Sequence, residues 1–360
     1  MEFKKRIIVS SFGIHTGGGL NLLYDILNND NYIKTLLADY RLIKKKKFEK
    51  IKKIYIKKNY IYRFIIFIRE IMNCEKNDLL LCFNNIPPLI RPKCKSILFL
   101  QNAFYVSNIS FDLTLFQILK IFILRTIFNL CLKNVDEIYV QNSFLKKKIL
   151  EKLKIKKFQK KIKVYKIVLL PEIIKKKIER RKRKILLSKK IKKNFFYPAS
   201  YDSHKNHLNL IKSFKNISHE KIKLYITLSK KDFSFFKKSL NLNNQDLKKI
   251  INLGVLPNYK LKKYYESCNL IFPSYLESFG LPLYEGYAYG SPIIASNKKF
   301  VTDNFKNIIK FNPDNYHSII KAVKLSMFRK VNNDLLKVDK KLIFSGKNFL
   351  KKIISNHAIS

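Results

Sequence analysis

Acidic residues are what this chain has least of relative to their opposites: 25 Asp and Glu stand against 74 Lys and Arg, a formal net charge of +49. So basic a chain collects anionic partners, whether nucleic acid, anionic lipid or phosphorylated substrates. The lysines are spread along the whole length, and no recognised binding module gathers basic and aromatic residues on one face. Runs such as Lys44–Lys47, Lys175–Lys177 and Arg180–Lys184 read as solvated surface, and a specific nucleic-acid partner is not expected. Cysteine is sparse as well. Cys74, Cys82, Cys94, Cys131 and Cys268 are odd in number and lack metal-ligand spacing, so they read as reduced thiols of a cytoplasmic protein. No aspartate pair has divalent-ion spacing, and no metal or cofactor is expected. Met1–Arg6 leads straight into a strand, without a signal peptide. The most apolar stretch, residues 113–132, is interrupted by Lys120 and Arg125, so no membrane-crossing span is expected either.

What is present describes an α/β protein. At 360 residues, with 47% hydrophobic and 28% charged, the chain has room for two globular domains. Short apolar runs alternate with helical stretches throughout, which implies parallel sheets covered on both faces. Expected first-half strands are residues 6–11, 78–83, 96–101, 137–141 and 162–170, with a helix at 20–27 and a long one at 113–133. After Pro171 comes a charged stretch, and the rhythm then restarts with strands at 194–199, 223–229, 251–256 and 270–273. The division expected is a domain over 1–170, a charged linker over 171–193, a second domain over 194–340, and a C-terminal helix in 341–360 that packs back on the first domain.

The most informative segment is residues 273–296, PSYLESFGLPLYEGYAYGSPIIAS. An apolar run ends at Pro273-Ser274, and a loop carries Glu277. A helix opens at Pro282 and closes at Gly290, the usual placing of proline early and glycine just past the end. Glu277 and Glu285 are separated by seven residues across the loop-to-helix junction. Unpaired N–H groups and the positive dipole end of a helix N-terminus suit a phosphate or diphosphate, and a nearby carboxylate suits ribose or sugar hydroxyls. Backbone N–H groups around Phe279, Gly280 and Leu281 are candidates to hold those groups, with glycine permitting close approach.

This string resembles the nucleotide-sugar signature of retaining glycosyltransferase family four (glycosyl transferases group 1). The likeness covers about residues 195–313 and is specific over 251–296. It implies a GT-B fold, two Rossmann-like doubly wound domains facing a central cleft. It also implies transfer of a sugar from a nucleotide-diphosphate sugar to an acceptor hydroxyl, by a metal-independent, retaining route. By the same resemblance Glu285 takes the ribose hydroxyls, Glu277 faces the donor sugar, and Lys205, in Tyr197-Pro-Ala-Ser-Tyr-Asp-Ser-His-Lys-Asn, meets the diphosphate. Where an arginine is common in the family this chain has Ala199-Ser200. His204 and His207, on either side of Lys205, read as surface or helix-capping residues.

Gly17-Gly18-Gly19 follows the first strand as a loop, without dinucleotide spacing or a Gly-Lys-Ser/Thr ending; by resemblance Gly18 and Gly19 lie over the donor phosphates. His15 beside them reads as structural. At the strand end where many relatives place a histidine, this chain has Gln101-Asn102, which hydrogen-bonds a sugar but cannot act as a base at neutral pH. These two, with Gln141-Asn142-Ser143, are acceptor-side candidates. Asn312-Pro313-Asp314 reads as a structural turn.

Three readings remain in play: the transferase, a nucleotide-sugar epimerase or hydrolase on the same fold, and a non-catalytic nucleic-acid-binding protein. Basic, aromatic-rich stretches at 55–69 and 116–125 add the expectation of peripheral attachment to an anionic membrane surface on the cytoplasmic side. The acceptor would then be a saccharide or lipid-linked saccharide of a surface polymer. The same stretches also read as ordinary helix faces packed on a sheet.

Overall fold

The computed structural model describes residues 6–15, 17–28, 30–42, 51–56, 59–107, 113–155, 162–183, 192–218, 221–328, 334–335 and 343–358. It divides into two compact units, one of residues 1–109, 114–172 and 339–360, the other of residues 110–113 and 173–338. The run Lys44–Lys47, Lys184 and the expected boundary at residue 340 lie outside the described residues.

The first unit runs β1 (Ile7–Ser10), α1 (Gly17–Leu27), β2 (Ile33–Asp39), β3 (Lys52–Ile56), α2 (Tyr60–Met72), β4 (Leu79–Cys82), β5 (Lys95–Leu100), α3 (Leu115–Cys131), β6 (Glu137–Val140), α4 (Ser143–Ile155), β7 (Lys163–Lys166) and β8 (Val168–Leu169). Seven strands form one sheet in the order β3-β2-β1-β4-β5-β6-β7, with every pairing parallel. Strands of continuous Ile, Leu and Val suit a sheet covered on both sides, and Ile7, Val9, Leu81, Ile97 and Phe99 are sealed in its core. Strand order reverses between β1 and β4, so the chain leaves both in opposite directions and opens a crevice at their carboxyl ends.

The second unit continues with α5 (Glu172–Arg183), β9 (Phe195–Tyr197), α6 (His207–Lys215), β10 (Leu224–Ile226), α7 (Lys230–Ser239), α8 (Asn244–Lys249), β11 (Ile250–Asn252), α9 (Asn258–Ser267), β12 (Asn269–Phe272), α10 (Leu281–Tyr289), β13 (Ile293–Ser296), α11 (Lys299–Thr302), β14 (Phe305–Lys306), β15 (Ile309–Phe311), α12 (Tyr316–Phe328) and β16 (Asp334–Leu335). Its parallel sheet has the order β11-β10-β9-β12-β13-β15, and here the reversal falls between β9 and β12.

The chain ends in the first unit with β17 (Ile343–Phe344), paired to β8, and α13 (Gly346–Ala358). Phe349, Leu350 and Ile353 of α13 enter the core formed by Leu20, Leu23 and Ile26 of α1. Asp25 holds the join: its carboxylate accepts the Glu172 N–H at 3.0 Å and the Gly346 N–H.

Four expectations change. The stretch expected to be a charged linker begins as α5, because Ile174 and Ile178 fall four apart and are buried on one helix face. The three glycines form no loop; they are the first turn of α1, drawn into the helix by the buried Leu20, Leu22, Leu23 and Ile26 that follow. The helix of residues 115–134 is, by length and composition, apolar enough to cross a membrane, since two cations in such a window do not lower its mean hydropathy enough to exclude it. Finally, β2, β3 and α7 were not expected from the sequence, their apolar residues being mixed with lysine.

Candidate functional site

Lys205 and Glu277 occupy the two sides of the second unit's strand reversal. Lys205 ends a 3-10 turn (Ser203–Lys205) that follows β9, and Glu277 lies in the loop leaving β12. A crevice at such a reversal is where open α/β sheets bind ligands. The structure brings the two together as an ion pair between Lys205 Nζ and Glu277 Oε1, with side chains 21% and 11% exposed. The carboxylate therefore orients the ammonium and shields it from neighbouring cations.

A polar lattice under the pair fixes both loops. The Tyr197 hydroxyl donates to the Lys205 carbonyl at 3.0 Å and is 3.0 Å from Ser274 Oγ. Burial, reinforced by the charge of Glu277, raises the Tyr197 pKa well above its ordinary value, so the phenol stays neutral. Tyr275 donates its N–H to the His204 carbonyl at 2.8 Å, and Ser296 Oγ donates to the Ser274 carbonyl at 2.8 Å. Asn206, at φ 57°, donates to the carbonyls of Pro273 (3.2 Å) and Pro313 (2.8 Å). Asparagine tolerates that left-handed backbone better than most residues. The turn at 312–314 thus acts as an anchor for the loop after β9.

The loop after β12 ends at Gly280, with φ +74°, as the N-cap of α10; proline lies in the first turn, and Gly290 at φ 79° closes the helix. A Cβ on Gly280 would come within 3.0 Å of Leu283 Cδ1. Phe279 is buried and stacked on Tyr284, with ring centroids 4.2 Å apart, and Leu281 is buried as well. Their side chains belong to the core, which leaves their backbone as the part able to meet a ligand. Glu285 is one turn further into α10. It keeps partial solvent access, and Tyr265 of α9 donates its hydroxyl to Glu285 Oε2 at 2.6 Å. The protein packed around the carboxyl raises its pKa, an effect that this hydrogen bond opposes.

His207 departs from expectation. It is neither a surface residue nor a cap. Its ring is 1% exposed, 5.0 Å by centroid from that of Tyr197 and near Tyr201 and Phe236. Burial pulls its pKa down to about 3, so it stays neutral. Its position at the first turn of an apolar helix face was the available signal.

In the first unit, Gly19 and Gln101 are adjacent, since a Cβ on Gly19 would meet Gln101 Oε1 at 3.3 Å. Gly18 lies beside it in the first turn of α1. Gln101 Nε2 donates to the Phe83 carbonyl at 2.9 Å. Asn85 Oδ1 accepts the N–H groups of Gln101 and of Asn102, the latter at 2.8 Å, while Asn102 Oδ1 takes the Phe104 N–H at 2.8 Å. Gln141 is buried at the end of β6, and Asn142 Oδ1 accepts the Leu145 N–H at 2.7 Å, capping α4. At the end of β2, Asp39 is fully buried. It accepts Arg41 Nε at 2.6 Å and the Gly13 N–H at 2.9 Å. Burial alone would raise its pKa, yet these hydrogen bonds win and bring it to about 2. Arg41 in turn reaches His15 Nε2 at 2.8 Å, which gives His15 a positional role.

Sequence reasoning missed Tyr197, Tyr265, Asn206 and Asp39. Asparagine directly after Lys205 was a usable hint for a left-handed turn; the two tyrosines gave none, because each reaches its partner across the sheet or between helices.

Residues 178–327 match the family model described as Glycosyl transferases group 1. No curated protein matches the sequence. Among solved structures, the chain is similar to HepE of Anabaena, determined in complex with UDP and glucose, at 11% identity and TM-score 0.62, covering 98% of this chain and 95% of that one. It is similar to a glycosyltransferase from Rickettsia africae at 15% identity and TM-score 0.60, covering 99% and 94%. It is also similar to the UDP-forming trehalose-phosphate synthase of Burkholderia xenovorans in complex with glucose-6-phosphate, at 11% and 0.61, covering 98% and 96%. At such identities the likeness shows the fold: mixed α/β of the GT-B type, with two Rossmann-like units.

Proposed function

We propose that the protein is a glycosyltransferase taking a nucleotide-diphosphate sugar as donor and passing the sugar, with retention, to an acceptor hydroxyl. One observation carries this reading. Lys205, Glu277 and the N-terminus of α10 converge on the strand reversal of the second unit, inside the residues that match the glycosyl transferase model. A cation and the positive end of a helix dipole suit a diphosphate. Solved structures of the same fold hold UDP and a sugar or sugar phosphate, which is consistent with such a donor and a saccharide acceptor.

In the proposed chemistry the bond from the anomeric carbon to the β-phosphate oxygen breaks. Lys205 and the N–H groups at 279–281 stabilise charge building on the departing diphosphate. Glu277 faces the donor sugar and holds Lys205 in position. Glu285, oriented by Tyr265, accepts the ribose hydroxyls. The acceptor hydroxyl attacks on the face the phosphate leaves and gives its proton to the phosphate oxygen. That route suits the acceptor-side candidates Gln101 and Asn102, whose carboxamides hydrogen-bond a sugar but offer no basic group. The scheme assigns no step to a metal.

Thermal-shift screening against a panel of nucleotide sugars is the test, because a ligand of the native state stabilises it by about 2.7 kcal/mol at a hundredfold excess over Kd. A shift confined to one base and sugar supports the reading, and NMR of the product's anomeric configuration tests retention. No shift with any nucleotide diphosphate overturns it.

A further inference from the structure

Helix α3 presents its apolar side outward. Leu115, Phe116, Ile118, Leu119, Phe122, Ile123 and Leu130 are 49–86% exposed, and Phe128 is the one buried side chain of the helix. The exposed positions recur at three- and four-residue spacing, so they form one stripe along some four turns, broken only by Thr126. A soluble surface scatters such residues singly; a contiguous stripe marks an interaction face.

The helix cannot leave its place to cross a bilayer. It connects β5 to β6, which are adjacent and parallel, so both its ends stay on one side of the sheet. Arg125 ties its middle down by donating Nε to the Phe104 carbonyl at 2.7 Å and by reaching the Ser107 carbonyl. The capping box of Thr114 and Gln117 fixes its start.

Charge beside the stripe identifies the partner. Lys152 Nζ of α4 donates to Asn129 Oδ1 of α3 at 2.8 Å, so the two helices are neighbours. Helix α4 reads SFLKKKILEKLKI, five lysines against Glu151, with Lys147 and Lys154 exposed. Lys120 lies exposed at the margin of the stripe itself. Helix α2 repeats the pattern with Ile61, Ile65 and Met72 exposed at 58–71% beside Arg69. Right-handed crossovers put α2, α3 and α4 on the same face of the sheet.

We propose that this face of the first unit docks in the plane of an anionic lipid bilayer, with the α3 stripe entering the headgroup–acyl boundary and the α4 lysines meeting lipid phosphates. Apolar insertion with adjacent cations is how in-plane helices hold to membranes. The inference does not depend on the transferase reading, since none of its residues belongs to the proposed donor or acceptor site.

The test is sedimentation of the full chain with vesicles of phosphatidylcholine alone or of phosphatidylcholine with phosphatidylglycerol. Binding is expected to favour the anionic vesicles strongly, to weaken with added salt, and to fall at least tenfold in the triple variant Phe116→Ser, Leu119→Ser, Phe122→Ser. Lys147→Glu with Lys154→Glu should abolish the preference for phosphatidylglycerol. Thermal stability of these variants should match the parent, since every altered side chain is exposed. Equal pelleting of parent and triple variant overturns the proposal. So does a lipid-free dimer of the parent that the triple variant converts to monomer, which would assign the stripe to a second copy of the chain. The thermal-shift response to a nucleotide sugar is expected to be unchanged in the triple variant, which keeps a failure here separate from a failure of the donor site.

Discussion

Removing Lys205 and Glu277 one at a time and then together measures how tightly the two loops at the strand reversal are joined. With side chains 21% and 11% exposed, the pair is more buried than an ordinary surface ion pair. Hydrogen bonds to charged groups contribute about 1.5–3 kcal/mol. Lys205→Met leaves the Glu277 carboxylate without its ammonium, and Glu277→Gln leaves the ammonium with a neutral partner. Each single change should lower stability by about 2 kcal/mol; for a domain of this size that is roughly 4–8 °C in Tm. The double variant should cost clearly less than the sum, with a coupling of about 1–2 kcal/mol. Urea unfolding of the four proteins gives the numbers. Additivity within about 0.5 kcal/mol would refute the pairing and with it the preorganised cation. Ligand binding adds a second readout. Glu277→Gln releases the Lys205 ammonium, so a free nucleoside diphosphate should bind the variant more tightly while sugar transfer falls.

Below pH 6.5 the buried His207 should weaken the fold. Its folded pKa of about 3 lies below the unfolded value, so the unfolded chain binds the extra proton and stability falls as pH drops. Each pH unit costs about 1.4 kcal/mol, and His207→Phe should flatten urea midpoints compared between pH 7.5 and 5.5. Gly280→Ala forces a side chain into φ +74° and against Leu283; a loss of about 1–2 kcal/mol is expected, together with weakened donor binding read by calorimetry. Tyr265→Phe removes the hydroxyl that holds Glu285 and should weaken nucleotide-sugar affinity severalfold while leaving affinity for inorganic diphosphate unchanged.

Much of the second unit was legible because its signals are local. Pro282 and Gly290 punctuate α10 where proline and glycine act through their own backbone, and short apolar runs between such marks gave β9 and β12. Lysine mixed into β3 and α7 hid the periodicity that defines a strand or helix, so an edge strand and a helix went unread. The Glu277 and Lys205 positions were visible as motif residues, but their ion pair joins loops 72 residues apart, and no local pattern states it. The tyrosines beneath the site were invisible for the same reason. Residues 116–125 of α3 read from the sequence both as a membrane-attachment stretch and as a face packed on the sheet, because both sides of the helix are apolar and only packing tells which side the sheet covers.

Calorimetric titration of nucleotide-diphosphate sugars into the parent protein, Lys205→Ala and Glu285→Ala tests the donor site most directly. The account predicts saturable one-to-one binding by the parent, with both variants weakened at least tenfold and still folded by circular dichroism. Undiminished binding by both variants, or no binding by the folded parent, would contradict it.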